Sequence, residues 1–478
     1  MLGFVGVAST AGAIVKCTTP DSLCRGNPCV IGQIEVASPC VLDFGARKLV
    51  IGGALKVPNG GTLDLTADDI EVRRAIVGRH AKPFEGIGSK ITLTAHDDIL
   101  VGWRIDASAR SVPGEISLIA GGDIVLQAPV RAAANGPNPN AAGGSITIDA
   151  GGQVVAIGRA RIRAEGAAST AGGTVSISAV QSVNLLNRVG ADGRTGGSIA
   201  IISQRGNVST TLPLSARGRF GDGGSIALFA ATGVLTVRDR VDAEGTGAGG
   251  SAFLVGNRSF TNVGQVRAGG GLMGGVGGQV VIASNGAVSV QDTLYADGSH
   301  GGSIQVLSTA GSVHTLAPLL ADGKTGTGGT VQISSGTTTT VDQAVDADGG
   351  LRGGNIAVLG PTVTVTDHGS LSARGDTGGS IAVDGGSIAI EVGAKVLADG
   401  DLPGGTIHFD ATAGDLTLSG DFRARGATGG SIQGSAARAL LANGAFAARG
   451  NGCIGLSAGT LLDIASGDFD VPVVTSCP

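Results

Sequence analysis

A tetrapeptide of two glycines, a Ser or Thr, and an Ile or Val returns along most of this chain. Twelve copies or near variants occur, and their spacings of 24 to 29 residues average 26. Their first glycines stand at positions 143, 172, 196, 223, 249, 277, 301, 328, 353, 378, 404 and 429. Weaker copies at 60, 87, 113 and 451 extend the array. A period of this length is typical of repeat architectures, in which one unit cannot bury its own apolar face and a stack of units can.

Each repeat unit contains three short apolar runs separated by corners. In residues 378–400, Ile381 and Val383 alternate with a small residue, a glycine turn is expected after them, and Ile388 and Ile390 alternate again before a third run. Alternation with period 2 predicts a strand that buries one face. The sequence therefore predicts an all-β fold, a parallel β-solenoid with three short strands per coil of about 26 residues and about 16–17 coils.

The composition agrees with a narrow β core and excludes several other classes. Hydrophobic residues make up 42% and charged residues 15% of the chain, which is too apolar for intrinsic disorder. Glycine, with 86 residues of 478, is too frequent for helix interiors. The longest apolar runs are too short to predict a transmembrane helix. A net charge of −5 without a basic run argues against a nucleic-acid partner.

Cysteines occur only near the two ends of the chain. Four lie in the first 40 residues and two in the last 26, namely Cys17, Cys24, Cys29, Cys40, Cys453 and Cys477. An even number confined to the ends predicts disulfides and hence an oxidising compartment. Cys453 with Cys477 is the natural C-terminal pair, whereas the first four cysteines leave three pairings open. No C-x2-C pair accompanies them, so a metal site is disfavoured.

These features divide the chain into three regions. We expect an N-terminal region with a disulfide-stapled cap at 1–59, solenoid repeats at 60–450, and a disulfide-stapled C-terminal cap at 451–478. Residues 1–13 resemble the apolar and small-residue parts of a secretory signal but lack its positive start. The predicted location is extracellular or on a bacterial cell surface.

The array from about 60 to 450 resembles the glycine-rich β-helical exoproteins of bacteria of the filamentous-haemagglutinin-like adhesin type. The repeated "GGSIAI" strands and "ADG" corners carry this resemblance. In coil length the array also resembles the pectin-lyase-like right-handed β-helix. The resemblance implies a non-catalytic structural or adhesive rod that contacts a cell-surface or matrix component such as a polysaccharide, with no cofactor. One alternative is a filament subunit that self-associates end to end, and another is a polysaccharide lyase or hydrolase.

Paired acids are the residues on which the enzyme alternative depends. The segments "TADDI" and "TAHDDI" place Asp68, Asp69, Asp97 and Asp98 at equivalent points of successive coils. Similarity to pectin-degrading enzymes implies that such acids could act as general acid and base on a polysaccharide. The competing interpretation is that Asp serves here only as a turn residue.

A second acidic set lies at the Ala-x-Gly corner that precedes most glycine doublets. Asp297, Asp322 and Asp348 occupy this corner in three successive coils. Stacked coils would separate them by about 5 Å, close enough for mutual repulsion or for a shared Ca²⁺ ion. A solvated corner without an ion is the simpler interpretation, and the glycine- and aspartate-rich nonapeptide of calcium-binding β-helices does not occur in this chain.

Overall fold

The computed structural model describes residues 14–78, 86–134, 142–464, 467–475 and 477, so the signal-like segment 1–13 lies outside the described residues. The described residues form 53 strands and one short 3-10 helix, Pro20–Ser22. The chain divides into two compact units, Met1–Ala216 and Arg217–Pro478.

Both units are built from coils of three strands. The first strand of a coil is usually six residues long, the second three or four, and the third two or three. Each strand pairs in parallel with the strand of the same class in the next coil. Ser145–Ala150, for example, pairs with Thr174–Ala179, so that Ile146 lies beside Val175 and Ile148 beside Ile177. The predicted parallel β-solenoid with three strands per coil is confirmed.

The unit Met1–Ala216 contains seven complete coils and the strands that precede them. Its first strands are Cys40–Asp43, Thr62–Ala67, Lys90–Ala95, Glu115–Ala120, Ser145–Ala150, Thr174–Ala179 and Ser198–Ser203. Its second strands are Cys29–Ile31, Leu49–Ile51, Ile70–Val72, Ile99–Val101, Ile124–Leu126, Val154–Ala156, Val183–Leu185 and Val208–Thr210. Its third strands are Ile14–Val15, Ile34–Val36, Leu55–Lys56, Ile76–Val77, Ile105–Asp106, Val130–Arg131, Ile162–Arg163, Val189–Gly190 and Leu214–Ser215.

The unit Arg217–Pro478 repeats the same arrangement. Its first strands are Ser225–Ala230, Ser251–Gly256, Gln279–Ser284, Ser303–Ser308, Thr330–Ser334, Thr406–Ala411, Ser431–Ala436, Cys453–Ala458 and the short Val473–Val474. Its second strands are Val234–Val237, Ser259–Asn262, Val288–Val290, Val313–Thr315, Thr338–Val341, Leu416–Leu418, Ala439–Ala442 and Leu461–Asp463. Its third strands are Val241–Asp242, Val266–Arg267, Leu294–Tyr295, Leu319–Leu320, Ala344–Asp346, Ser370–Ser372, Lys395–Leu397, Asp421–Arg423, Ala445–Ala447 and Asp468–Phe469.

Two coils of the second unit join their first and second strands into one. These strands are Asn355–Val365 and Ser380–Ile390. The glycine turn expected after Val383 is therefore wrong. The two segments have equal lengths, so their pairing continues across the expected corner and sets Gly385 opposite Gly360. In other coils two to five residues separate the two strands and form a real corner.

Parallel pairing extends beyond residues 60–450 in both directions. It begins where Ile14–Val15 pairs with Ile34–Val36 and ends where Cys453–Ala458 pairs with Val473–Val474. The two units together hold about 18 coils, against the predicted 16–17. The additional coils lie where the glycine doublet that marks the repeat is weak or missing.

The interior of each coil is filled by the alternate, inward residues of its strands. Ile381, Val383 and Ile390 have no exposed surface. The glycine doublet allows the coils to approach this closely, because a Cβ on Gly379 would lie 2.2 Å from the carbonyl oxygen of Gly354 in the preceding coil.

Larger side chains enter the core near the C-terminal end. Phe409, Phe422 and Phe446 are buried there, and Phe446 stacks between Phe422 and Phe469 with ring centroids 4.6 and 4.8 Å away. Within the part of the chain that the structure describes, no helix has the length and apolar character needed to span a membrane.

Candidate functional site

All six cysteines are paired in the structure. The disulfides span Cα–Cα distances of 5.1, 5.4 and 5.7 Å and join Cys17 to Cys40, Cys24 to Cys29, and Cys453 to Cys477. The first two tie the opening strands of the unit Met1–Ala216, and the third joins Cys453 to the end of the chain. The structure thus selects one of the three N-terminal pairings that the sequence left open and contains the expected C-terminal pair.

The first acidic corner lies between the first and second strands of neighbouring coils. Its geometry follows from the register, because Ala67 lies beside Ala95 and Ile70 beside Ile99. Asp69, Asp97 and Asp98 each bring a carboxylate oxygen within 4.8 Å of the other two. Asp68, the fourth acid of the predicted set, is not part of this group.

Mutual repulsion is the main electrostatic feature of this corner. The negative charge of Asp98 is the largest influence that raises the pKa of Asp97, followed by desolvation and then by the charges of Asp69, Asp68 and Asp123. Oxygen ligands of this kind suit a hard cation. The set Asp69, Asp97 and Asp98 is the one such cluster found among the described residues, and Asp297, Asp322 and Asp348 do not form another.

Carboxylates of the first corner accept backbone hydrogen bonds and so have a structural role. Oδ1 of Asp98 accepts the backbone N–H of Asp123 in the next coil at 2.7 Å. Oδ1 of Asp123 in turn accepts the N–H of Gln153 at 2.7 Å, and Oδ1 of Asp69 accepts the N–H of Asp98 at 3.4 Å. Backbone donors at a corner leave the strand ladder and need another acceptor. The carboxylates supply it and link each coil to the next.

At the second acidic corner, carboxylates also accept backbone N–H groups of the next coil. Oδ1 of Asp297 accepts the N–H of Asp322 at 2.9 Å, and Oδ1 of Asp322 accepts the N–H of Asp348 at 2.9 Å. The three residues therefore stack in successive coils as the sequence predicts. Burial raises the pKa of Asp297 to about 6, against the opposing influence of its hydrogen bond from Asp322. Arg374 forms an ion pair with Asp348 at 2.9 Å.

Sequence reasoning missed a fourth acid at this corner. Burial raises the pKa of Asp346 to about 7, and the charges of Asp322 and Asp348 add to the effect. Asp346 ends the third strand Ala344–Asp346, two residues before Asp348. The signal in the sequence is the alternation in "VDAD" at 345–348, which places both acids on the same side of an extended chain.

Sequence reasoning also missed a groove lined by arginines in the unit Met1–Ala216. The groove has a volume of about 670 Å³. Five guanidinium-bearing residues line it, namely Arg131, Arg159, Arg161, Arg163 and Arg188. The available signal was the segment "RARIR" at 159–163, whose period of 2 places three arginines on one side of the chain. No consecutive run of basic residues marks it. We call this feature the arginine groove.

Comparison with known proteins does not identify a family for this chain. A scan against protein-family models and searches of curated proteins and of solved structures each found no match to the chain.

Proposed function

We propose that this chain is a secreted or cell-surface, non-catalytic structural and adhesive protein of the glycine-rich β-helical type. The observation that carries the proposal is the pairing of all six cysteines in disulfides at the two ends of the chain. Such bonds persist in oxidising compartments and are rare in the cytosol of mesophiles. They also restrain the terminal strands, whose edges would otherwise be open to pairing with other chains.

The hydrogen bonds of the acidic corners support a non-catalytic role. A glycoside-cleaving pair needs one carboxyl group free to donate a proton and another free to act as base or nucleophile. Of the four acids on which the enzyme alternative depends, Asp98 and Asp69 instead accept a backbone N–H from the next coil, at 2.7 and 3.4 Å. Asp297 and Asp322 do the same at the second corner. A carboxylate engaged in this way contributes to the stability of the stack.

The outer surface of the coils supports an adhesive role. Outward positions of successive first strands carry short polar side chains in register, such as Thr92 beside Ser117 and Ser117 beside Thr147. Parallel pairing repeats these positions at the strand spacing of about 4.8 Å. A surface with such a regular repeat is suited to contact with a polymer or a cell envelope, which is the partner class that the adhesin resemblance implies.

Cells that express the full-length gene provide the test of location. Intact cells and their medium are probed with a membrane-impermeant label, with a cytosolic protein as control. The thiols of the recovered chain are then counted by alkylation after denaturation without reductant. The proposal predicts labelled or released protein with no free thiol. A chain found in the cytosol with free cysteines would overturn it.

Polysaccharide turnover provides the test of the non-catalytic assignment. The purified chain is incubated with acidic and neutral polysaccharides, and new reducing ends and unsaturated products are measured over time. We expect no turnover in the wild type or in Asp98→Asn. Turnover by the wild type that disappears in Asp98→Asn would establish the enzyme alternative instead.

A further inference from the structure

We propose that the arginine groove binds a linear anionic polysaccharide through its carboxylate or sulfate groups. The inference names a ligand class for the adhesive function proposed above, and in that sense it rests on that function. The groove itself is a separate site, and no residue of the two acidic corners lines it.

The register of the coils places the arginines in two short rows. Val130–Arg131 pairs with Ile162–Arg163, so Arg131 lies directly beside Arg163. Ile162 lies beside Val189, so the residues that precede them, Arg161 and Arg188, are also neighbours in adjacent coils. Each row thus sets two arginines one coil apart, and the rows are two residues apart along the chain. The fifth, Arg159, precedes Arg161 by two residues.

Like charges placed directly opposite each other on neighbouring strands are destabilising. Within the described part of the chain, Arg131, Arg159 and Arg161 form no ion pair, and Nε of Arg131 is buried without a hydrogen-bond partner. These groups have unused donors, and Arg131 and Arg161 each lie beside another arginine of the neighbouring coil. An anion in the groove would satisfy the donors and remove the repulsion.

The other two arginines pair with buried carboxylates that do not line the groove. Nε of Arg163 donates to Glu165 at 2.9 Å, and Arg188 pairs with Asp192 at 3.2 Å. Glu165 and Asp192 are only 8% and 2% exposed, and neither lines the groove. Asp106, which is 4% exposed, lies beside Arg131 in the preceding coil, so five guanidinium groups against three carboxylates leave two net positive charges at this site. The carboxylates hold Arg163 and Arg188 in place while the open side of the groove remains cationic.

The shape of the groove favours an extended ligand with several anionic groups. Its lining comes from four successive coils, which span about 15 Å at the strand spacing. One phosphate or carboxylate would engage only one or two of the five arginines, since each guanidinium binds an anion through a two-pronged contact. A polymer with one anionic group on each sugar, or on every second sugar, matches rows of arginines at coil spacing.

Nucleic acid is a poorer match to the same charges. Single strands are bound largely through stacking of their bases on aromatic side chains. The apolar residues that line the groove are Pro129, Leu212 and Pro213, with no aromatic ring among the described lining residues.

Binding is measured with the full chain and four polymers: polygalacturonate, dextran sulfate, neutral dextran and single-stranded DNA. We expect polygalacturonate, dextran sulfate or both to bind, with affinity that falls as salt is added. The carboxylated and sulfated polymers identify which anionic group the site prefers. No binding of either polymer, or binding of DNA alone, would overturn the proposal.

A pair of double variants separates the groove from general charge effects. Arg159→Gln with Arg161→Gln changes two exposed residues of the groove, and Arg25→Gln with Arg205→Gln changes two exposed residues elsewhere in the same unit. The groove variant should lose about tenfold or more in affinity, whereas the control should bind as the wild type does. Equal weakening in both would overturn the assignment. Thermal melting of both variants checks that they are folded.

The binding measurement and the test of cellular location can succeed or fail independently of each other. A surface-exposed, disulfide-bonded chain that binds no anionic polymer would overturn the groove assignment alone. A cytosolic, reduced chain that binds polygalacturonate through Arg159 and Arg161 would overturn the proposed function and leave the groove assignment standing.

Discussion

Replacing Phe446 with alanine removes the middle ring of the aromatic stack in the unit Arg217–Pro478. Phe446 is 1% exposed, and its ring lies 4.6 Å from that of Phe422 and 4.8 Å from that of Phe469. A buried Phe→Ala change costs about 3–5 kcal/mol through lost burial and the cavity that remains. Two lost ring pairs, at about 0.5–1.5 kcal/mol each, are consistent with a value near the middle of that range.

The stacked architecture predicts where this loss appears. In a repeat protein each coil contacts its neighbours, so the last coils can open without the rest of the unit. Hydrogen exchange followed by mass spectrometry should show faster exchange in the strands Asp421–Arg423 and Ala445–Ala447. A loss of about 4 kcal/mol corresponds to exchange nearly a thousandfold faster, provided that exchange occurs through local opening.

Phe253→Ala is the matched control for this experiment. Phe253 is 37% exposed on the outer side of Ser251–Gly256, so the same chemical change leaves no cavity in the core. We expect a small effect there, at most about 1 kcal/mol. Equal effects of the two variants, or a loss under 1 kcal/mol for Phe446→Ala, would refute the assignment of Phe446 to the core.

Two further predictions concern glycine packing and pH. Gly379→Ala would place a Cβ 2.2 Å from the carbonyl oxygen of Gly354, so we expect it to lower the midpoint of thermal unfolding. In the control Gly32→Ala, the added Cβ meets no atom within 4 Å, and this variant should melt as the wild type does. Equal midpoints for the two variants would contradict the close approach of the coils at Gly379. The second prediction concerns Asp346, whose pKa is raised to about 7 chiefly by burial. Because this carboxyl group ionises less readily in the folded than in the unfolded state, the free energy of unfolding should fall as pH rises from about 4 to about 7. In Asp346→Asn that loss should be smaller, as measured by denaturant unfolding across this range, and an unchanged pH dependence would contradict the burial argument.

The fold could be predicted from the sequence because its determinants are local and repeated. The alternation at Ile381 and Val383 fixes a strand and its buried side, and the glycine doublet marks where each coil begins. Parallel stacking then follows from the period, and Ile381 does lie beside Ile356 in the preceding coil. Asp297, Asp322 and Asp348 stack in successive coils because their corner follows the doublet at a nearly constant distance of 19 or 20 residues.

Features that depend on register between coils of unequal length could not be predicted in this way. Arg131 and Arg163 are 32 residues apart, and Arg161 and Arg188 are 27 residues apart, so a period of about 26 does not align either pair. The continuous strand Ser380–Ile390 is not predicted because a glycine pair in its middle favours a turn. The coils before residue 60 are not predicted because no copy of the repeated tetrapeptide precedes that position, although Leu55 pairs with Ile34 as in any other coil.

The central claim is that the corner carboxylates hold neighbouring coils together. The most direct measurement is the exchange rate of the Asp123 backbone amide, whose N–H donates to Oδ1 of Asp98 at 2.7 Å. Asp98→Ala removes the acceptor, Asp98→Asn keeps an oxygen in its place, and Asp68→Ala removes the same charge from the same corner. A lost hydrogen bond worth about 1 kcal/mol should speed exchange about fivefold in Asp98→Ala and leave it nearly unchanged in the other two. Equal exchange in all four proteins would contradict the claim, and so would acceleration in Asp68→Ala as large as that in Asp98→Ala.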